Sequence, residues 1–256
     1  MKYDSWSIAV GIPAYKEHAT LGPVISKTIA NVNHVIVGND GSTDRTAQIA
    51  IENGAVLVEH DKNEGYGSIL KTIFKKAIHL DVDILITMDG DGQHNPEDLP
   101  DLIKPILNGE ADIVIGSRFQ NQDSVKNIPF LRRLAIQMIT WIINNTTDYN
   151  LTDSQSGYRA YNRRALSSLD LLEKKMGASL EILFQADISN LKIVETPTII
   201  RYSENHESYN FILQGHELLS SVIKYIPEVA PKRTSGSFGL NTVFVSFLVW
   251  FARLLD

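Results

Sequence analysis

Along the first half of the chain, short runs of Ile and Val alternate with longer segments whose apolar positions recur every three to four residues. The runs at 8–12, 34–37, 55–58, 84–88 and 113–115 have the length and β-branched content of buried strands. Segments 21–30, 46–53, 69–79 and 99–107 have helical spacing, and Thr20, Asp44 and Ser68 are cap-type residues near three of their starts. This β-α-β-α rhythm predicts an α/β fold: a right-handed, mostly parallel wound sheet with flanking helices. Beyond residue 120 the rhythm loosens into a helix around 130–143, a polar loop, a helix around 180–189 and strands near 193–202.

Sheets of this kind bind ligands outside the carboxyl ends of their strands, and the unusual residues fall there. The strand endings read PAYKE (13–17), NDGSTDRT (39–46), NEGYGS (63–68), DGDGQHNPED (89–98) and GSRF (116–119). Asp89 and Asp91, two apart after an apolar strand, can offer oxygens to one hard cation, and Gly90 and Gly92 let backbone come close. An EF-hand loop would need an acceptor and a glycine where Gln93 and His94 stand. An aspartyl-phosphate phosphatase would carry its Asp-x-Asp after the first strand, with Thr at the position of Gln93. The plain alternative is that these acids cap the helix after Pro96. Asp40 closes the second strand, placed to accept hydrogen bonds from a base or ribose, whereas Asp44 suits an N-cap. No G-x-G-x-x-G follows the first strand, where Pro13 and Tyr15 stand, so a dinucleotide fold is excluded; the G-x-G of NEGYGS is a weak signal.

Composition narrows the picture. With 256 residues, 43% hydrophobic and 21% charged, the chain suits one large domain or a domain with a small appendage. A net charge of −6 provides no field for non-specific nucleic-acid binding. With no cysteine, disulfides, thiolate metal sites and a cysteine nucleophile are ruled out. The N-terminus has no cleavage pattern and is expected to begin the fold, with the catalytic part facing the cytoplasm. The membrane-seeking segment is 238–255. A helix over 239–255 would reach about 25 Å, short of the roughly 30 Å hydrocarbon core. Its apolar residues fall on one face, which suits a helix lying in the membrane interface or packed on a partner, a second copy included. Lys224, Lys232 and Arg233 precede it and suit an anionic leaflet. The expected division is a catalytic domain over 1–230 and a basic linker with a membrane-associating helix over 231–256.

IPAYKE, DGSTDRT, NEGYGS, MDGDGQHNPED, GSRF and DSQSGYRAY occur in the order found in the family-two inverting glycosyltransferases. Over about residues 7 to 205 the chain resembles the dolichyl-phosphate mannose and glucose synthase group. The resemblance implies a glycosyltransferase A fold in which Pro13, Ala14, Tyr15, Glu17, Asp40 and Asp89 hold the nucleotide. It also implies that Asp89, Asp91 and Gln93 hold Mg²⁺ or Mn²⁺ with the diphosphate. Asp153, Ser156 and Gly157 form the acceptor-side loop, and Glu181 matches an acidic position on the helix that follows.

Arg118, Arg132, Arg133, Arg159 and Arg201 make up a cationic set, although a single arginine is more often a solvated surface residue. An arginine fork matches phosphate oxygens. By resemblance Arg118 and Arg201 come first for the acceptor phosphate, then one of Arg132 and Arg133. The expected reaction carries a sugar from GDP-mannose, UDP-glucose or UDP-N-acetylglucosamine to a polyprenyl phosphate such as dolichyl phosphate, with inversion. Asp89, Asp91 and Arg118 carry the catalytic expectation. A transferase acting on a hydroxyl and a catalytically silent sugar-nucleotide-binding scaffold at the membrane are the alternatives.

Overall fold

The computed structural model describes residues 5–200. Arg201 and the 231–256 segment expected to meet the membrane lie outside the described residues. Among the described residues seven strands form one sheet: β1 (Ile8–Ala14), β2 (His34–Asn39), β3 (Val56–Glu59), β4 (Ile84–Thr87), β5 (Ile113–Ser117), β6 (Arg159–Asn162) and β7 (Ile193–Pro197). Their order is β3-β2-β1-β4-β6-β5-β7. Every pairing is parallel except those of β6, which runs antiparallel to both β4 and β5. The helices are α1 (Leu21–Ile29), α2 (Thr46–Glu52), α3 (Tyr66–His79), α4 (Leu99–Leu107), α5 (Gln122–Asn127), α6 (Phe130–Thr146), α7 (Arg163–Ser168) and α8 (Ala178–Ile188).

The period-two alternation of β1 sorts side chains to two cores. Ile8, Val10 and Ile12 join residues of α1 and α4 on one face, while Ala9 joins α3, α6, α7 and α8 on the other. Glycine sets how near α3 comes: a Cβ on Gly38 of β2 would lie 2.6–2.9 Å from Ile69 and Ile73. The chain goes from β1 to β2 on one side and returns to β4 on the other, so the switch point lies between β1 and β4. In a wound sheet that is where a crevice opens. Residues 13–17 and 89–91 leave the sheet side by side, since Gly11 pairs with Thr87 and Met88 N–H donates to the Gly11 carbonyl at 3.0 Å.

Four expectations need correction. β6 is absent from the sequence reading because Arg159 and Tyr161, both buried, occupy the face that the pattern reads as polar. The strand expected through 202 ends at Pro197; Ile200 makes only an isolated bridge to His94. Ser68 does not start a helix, for α3 begins at Tyr66 after Gly65, whose φ of 103° bars most side chains. Thr20 stands at the N-cap of α1 without capping it, its hydroxyl donating instead to Glu17 Oε2 at 3.0 Å.

The glycines of NEGYGS serve packing. A Cβ on Gly67 would overlap the Glu173 carbonyl, and Ser68 N–H donates to the Lys174 carbonyl at 3.1 Å. Gly67→Ala is therefore expected to destabilise the protein by about 1–3 kcal/mol through overpacking against rigid backbone, lowering the urea midpoint at unchanged m. Stabilisation by Ala's helix propensity, about 1 kcal/mol, would contradict this passage of 173–174 across α3.

Candidate functional site

The loop after β1 is stapled to the loop after β2. Lys16, with φ of 59°, turns the chain; its N–H donates to Ser42 Oγ and that of Glu17 to Thr46 Oγ1, both at 3.0 Å. Thr46 N–H in turn donates to Asp44 Oδ1 at 3.0 Å, but the N-cap of α2 is Arg45, so Asp44 braces the turn before the helix instead of being the expected N-cap. Ala14 is buried and paired with Asn39, Pro13 is half-buried, and Tyr15 is exposed at the rim. The pairing of β1 with β2 thus brings the nucleotide candidates Pro13, Ala14, Tyr15, Glu17 and Asp40 to one end of the sheet.

Asp40 differs from expectation. It is 3% exposed, and both oxygens are engaged by the following loop: Oδ1 with Glu64 N–H at 3.0 Å and His60 Nδ1 at 2.8 Å, Oδ2 with Gly65 N–H at 2.8 Å. His60 Nε2 contacts Thr72 Oγ1 of α3 at 2.9 Å. In this structure the carboxylate braces the 60–65 loop instead of presenting acceptors to a base or ribose. The loops touch so closely that a Cβ on Gly41, at φ of 69°, would run into the Lys62 backbone.

Asp89 and Asp91 sit on a built loop. Asp91 Oδ1 accepts from Gln93 N–H at 2.9 Å, and Gly92 takes a φ of 78°. Asp89 N–H donates to His94 Nδ1 at 3.3 Å. Because a backbone N–H can only donate, Nδ1 must be the unprotonated nitrogen. Burial pulls the His94 pKa down to about 4 and so keeps the ring neutral. Nδ1 also lies 3.8 Å from Asp89 Oδ2 but carries no proton, so no ion pair forms. The ring stacks on Tyr158, centroids 4.8 Å apart at 18°, and the Tyr158 hydroxyl donates to the Asn95 carbonyl at 3.3 Å. His94 therefore holds the loop, a role the sequence reading missed; its signal was an imidazole three residues after a candidate ligand.

Among the described residues no donor bonds the Asp89 carboxylate oxygens. Burial raises its pKa, opposed by the charges of Arg118 and Arg132, while 41% of the side chain stays accessible. A desolvated, accessible carboxylate without a donor is suited to a cation. No cluster of three or more His, Asp or Glu side chains fit to hold a metal exists among the described residues. Two carboxylates and an amide would leave positions for phosphate oxygens and water, the usual arrangement for Mg²⁺. The donor set fits a hard divalent cation.

The acceptor-side loop closes against Asp89. A Cβ on Gly157 would lie 3.2 and 3.3 Å from the two Asp89 oxygens, and the Gly157 carbonyl accepts from Thr87 Oγ1 at 2.7 Å. Three charged groups hold the loop in place, Arg118 and Arg159 buried and Glu195 half-buried. Arg118 binds Asp153 in bidentate fashion, Nε to Oδ2 at 2.6 Å and Nη2 to Oδ1 at 2.7 Å. Glu195 accepts from Thr152 N–H and Asp153 N–H, both at 2.8 Å. Arg159 donates to the carbonyls of Ser154, Ser156 and Ser179 at 2.8–3.1 Å. Ser156 is buried and its Oγ accepts from Tyr158 N–H at 3.3 Å.

Two roles change accordingly. Arg118 is 4% exposed and its Nε and Nη2 edge is committed to Asp153, so it is a brace whose charge reaches Asp89, not an open phosphate fork. Glu181 is fully buried in α8 and accepts from Leu172 N–H, Glu173 N–H and Gln185 Nε2 at 2.9–3.2 Å. It anchors the 172–173 segment. Arg132 and Arg133 lie in the first turn of α6, with Arg132 near enough to influence Asp89. Arg159 and Glu195 were missed as loop holders; a single arginine in a polar stretch carries no mark of burial.

Residues 9–170 match the family described as Glycosyl transferase family 2. The chain is 34% identical over 216 residues to the UDP-N-acetylglucosamine–dolichyl-phosphate N-acetylglucosaminyltransferase of Methanococcus voltae, covering 75% of this chain and 85% of that one. It is 32% identical over 202 residues to the dolichol-phosphate mannosyltransferase of Pyrococcus furiosus, covering 74% of this chain and 55% of that one. Among solved structures, glucosyl-3-phosphoglycerate synthase from Mycobacterium tuberculosis in complex with Mn²⁺ and UDP-glucose superposes with a TM-score of 0.71 at 22% identity, over 88% of this chain and 80% of that one. That likeness shows the glycosyltransferase A fold. The family match runs from β1 through the Asp89 loop and the acceptor-side loop, and the chain belongs to glycosyl transferase family 2 and is a glycosyltransferase.

Proposed function

We propose that this glycosyltransferase carries a sugar from a nucleotide-sugar to a polyprenyl phosphate, dolichyl phosphate in kind, at a membrane surface, with inversion at the anomeric carbon. The observation that carries the reading is the state of the acceptor-side carboxylates. Asp153 is bound by Arg118, and Glu195 and Glu181 by backbone amides. All three are engaged by donors of the chain itself. A hydroxyl nucleophile needs a positioned base, whereas a phosphate monoester, with a second pKa near 6, is already largely dianionic at neutral pH. The names of the Methanococcus and Pyrococcus relatives support a polyprenyl phosphate acceptor.

In this reading a phosphate oxygen of the acceptor attacks the anomeric carbon as the bond to the nucleoside diphosphate breaks on the opposite face. The diphosphate departs with the bonding electron pair, and no proton need move. Mg²⁺ or Mn²⁺, held by Asp89, Asp91 and Gln93, would supply neutralisation of the leaving diphosphate. Tyr15 and Glu17 border the nucleotide, with Asp40 bracing the loop beside them. Arg132, exposed at the start of α6 and close enough to influence Asp89, is assigned to the acceptor phosphate.

The test is Glu181→Gln, with kcat followed from about pH 5.5 to about 9 on a phosphate acceptor. Exchanging one acceptor oxygen for an NH₂ group facing backbone donors should lower stability by about 1–3 kcal/mol and leave the shape of the pH profile unchanged. A loss of about a thousandfold in kcat, relieved at high pH, would mark a general base and point to a hydroxyl acceptor.

A further inference from the structure

One buried donor beside α1 has no partner among the described residues. Asp89 N–H donates to His94 Nδ1 at 3.3 Å, so the ring's proton sits on Nε2. His94 is 5% exposed, and its Nε2–H meets no acceptor among the described residues. A buried N–H left unpaired is costly, and such a group ordinarily meets water or a ligand.

His94 lines a cavity of about 270 Å³ between α1 and the 92–96 turn. The turn runs close along the helix, for a Cβ on Gly92 would lie 3.7 Å from Val24 Cγ2. Thr20, Pro23, Val24 and Lys27, spaced to share one side of α1, form one wall, and His94 and Pro96 belong to the other. The volume is several times a water molecule's share of the liquid, about 30 Å³, yet it falls at the small end of ligand pockets, about 300 Å³. It suits a small metabolite and is too small for a sugar nucleotide.

The lining indicates the ligand's chemistry. No acidic side chain lines the cavity, in a chain of net charge −6. Lys27 is exposed, and its ammonium makes no hydrogen bond or ion pair among the described residues. An imidazole N–H on one wall and an ammonium on the other match an oxyanion, which takes the stronger, charge-assisted kind of hydrogen bond. Asp91 and Asp98 lie near enough to influence the ring but do not line the cavity, which makes the Lys27 charge decisive for an anion.

We propose that this cavity is an effector site for a small oxyanion, phosphate or a phosphate monoester, held by His94 Nε2–H and the Lys27 ammonium. An acceptor on Nε2–H polarises the ring and makes Nδ1 a better acceptor in turn. Occupancy therefore tightens the bond to the Asp89 amide and steadies the loop that carries it. The site lies apart from the donor and acceptor positions assigned above and does not depend on which acceptor the enzyme uses.

The full chain, labelled with ¹⁵N-histidine, is titrated with inorganic phosphate, with glycerol phosphate and, as a neutral control, with glycerol. Each titration is repeated with Mg²⁺ and UDP or GDP present. Calorimetry reads the affinity, nuclear magnetic resonance reads the ring nitrogens, and hydrogen exchange reads the Asp89 amide. The expected result is saturable anion binding that shifts the His94 Nε2 resonance and slows Asp89 exchange several-fold. Lys27→Ala should weaken the affinity by about tenfold at an unchanged unfolding midpoint, and Lys27→Arg should restore it. Tighter binding of glycerol phosphate would uphold the ester as the ligand, and tighter binding of inorganic phosphate the free anion. An Nε2 resonance that neither anion shifts, with water or another part of the chain as its partner, would overturn the proposal. Equal affinity in Lys27→Ala would overturn it too, as would binding lost once UDP or GDP is added with Mg²⁺, which would place the anion in the donor site.

Discussion

Asp89→Asn is expected to lower sugar transfer by about a thousandfold or more while leaving the fold as stable as before, or more so. The carboxylate is raised by burial and accepts no hydrogen bond among the described residues, so its charge costs stability in the metal-free protein. An isosteric amide removes that cost, a case of site chemistry opposing stability. Thermal unfolding with and without Mn²⁺ checks both halves. The wild-type chain should gain stability on adding Mn²⁺ with a nucleoside diphosphate, by ligand linkage, and the variant should gain little. Near-normal turnover in Asp89→Asn would remove the metal assignment, and Asp91→Ala should repeat the loss.

The second large effect concerns the buried pair Arg118–Asp153. Arg118→Ala leaves Asp153, fully buried, without its counter-charge, which costs about 3–5 kcal/mol. Turnover should fall with stability, because the pair sits in the loop that carries Gly157 against Asp89. Burial alone would raise the Asp153 pKa, but the charge and hydrogen bonds of Arg118 outweigh it and hold the carboxyl below its ordinary value of 3.8. The pair's contribution is therefore fully present above about pH 4 and lost as pH falls through the lower folded value. In Arg118→Ala only the backbone N–H groups of residues 118 and 155 still oppose burial, and stability should decline as pH rises from about 4 toward neutrality. Urea unfolding of both proteins at about pH 4.5 and about pH 7.5 should give the larger difference at the higher pH. A variant of wild-type stability with a raised KM for acceptor would restore Arg118 as a phosphate ligand.

The parallel half of the fold was legible because each strand from β1 to β5 is an apolar run closed by turn residues, and each intervening helix has its own period. β6 was not, since a strand of four residues that buries an arginine inverts the usual polar pattern; three carbonyls replace the water the guanidinium would otherwise need. In the site, Asp89 and Asp91 could be read from spacing and place alone. Which acids and arginines were already engaged could not. Asp40, Arg118 and Glu181 look alike in a sequence as charged residues near strand or helix ends, and only the contacts of each show it committed to the chain itself. His94 was passed over for the opposite reason, its importance lying in a backbone N–H that no sequence pattern displays.

The central claim, that the nucleophile is a phosphate on a polyprenyl chain, is tested most directly by the product. The full chain, Mn²⁺ and each of GDP-mannose, UDP-glucose and UDP-N-acetylglucosamine are incubated with vesicles holding either dolichyl phosphate or the matching dolichol, and the lipids are read by mass. The account predicts a glycosyl phosphodiester from the phosphate with one donor and no product from the alcohol. A glycoside of the alcohol, or donor consumption that leaves dolichyl phosphate unchanged, would contradict it.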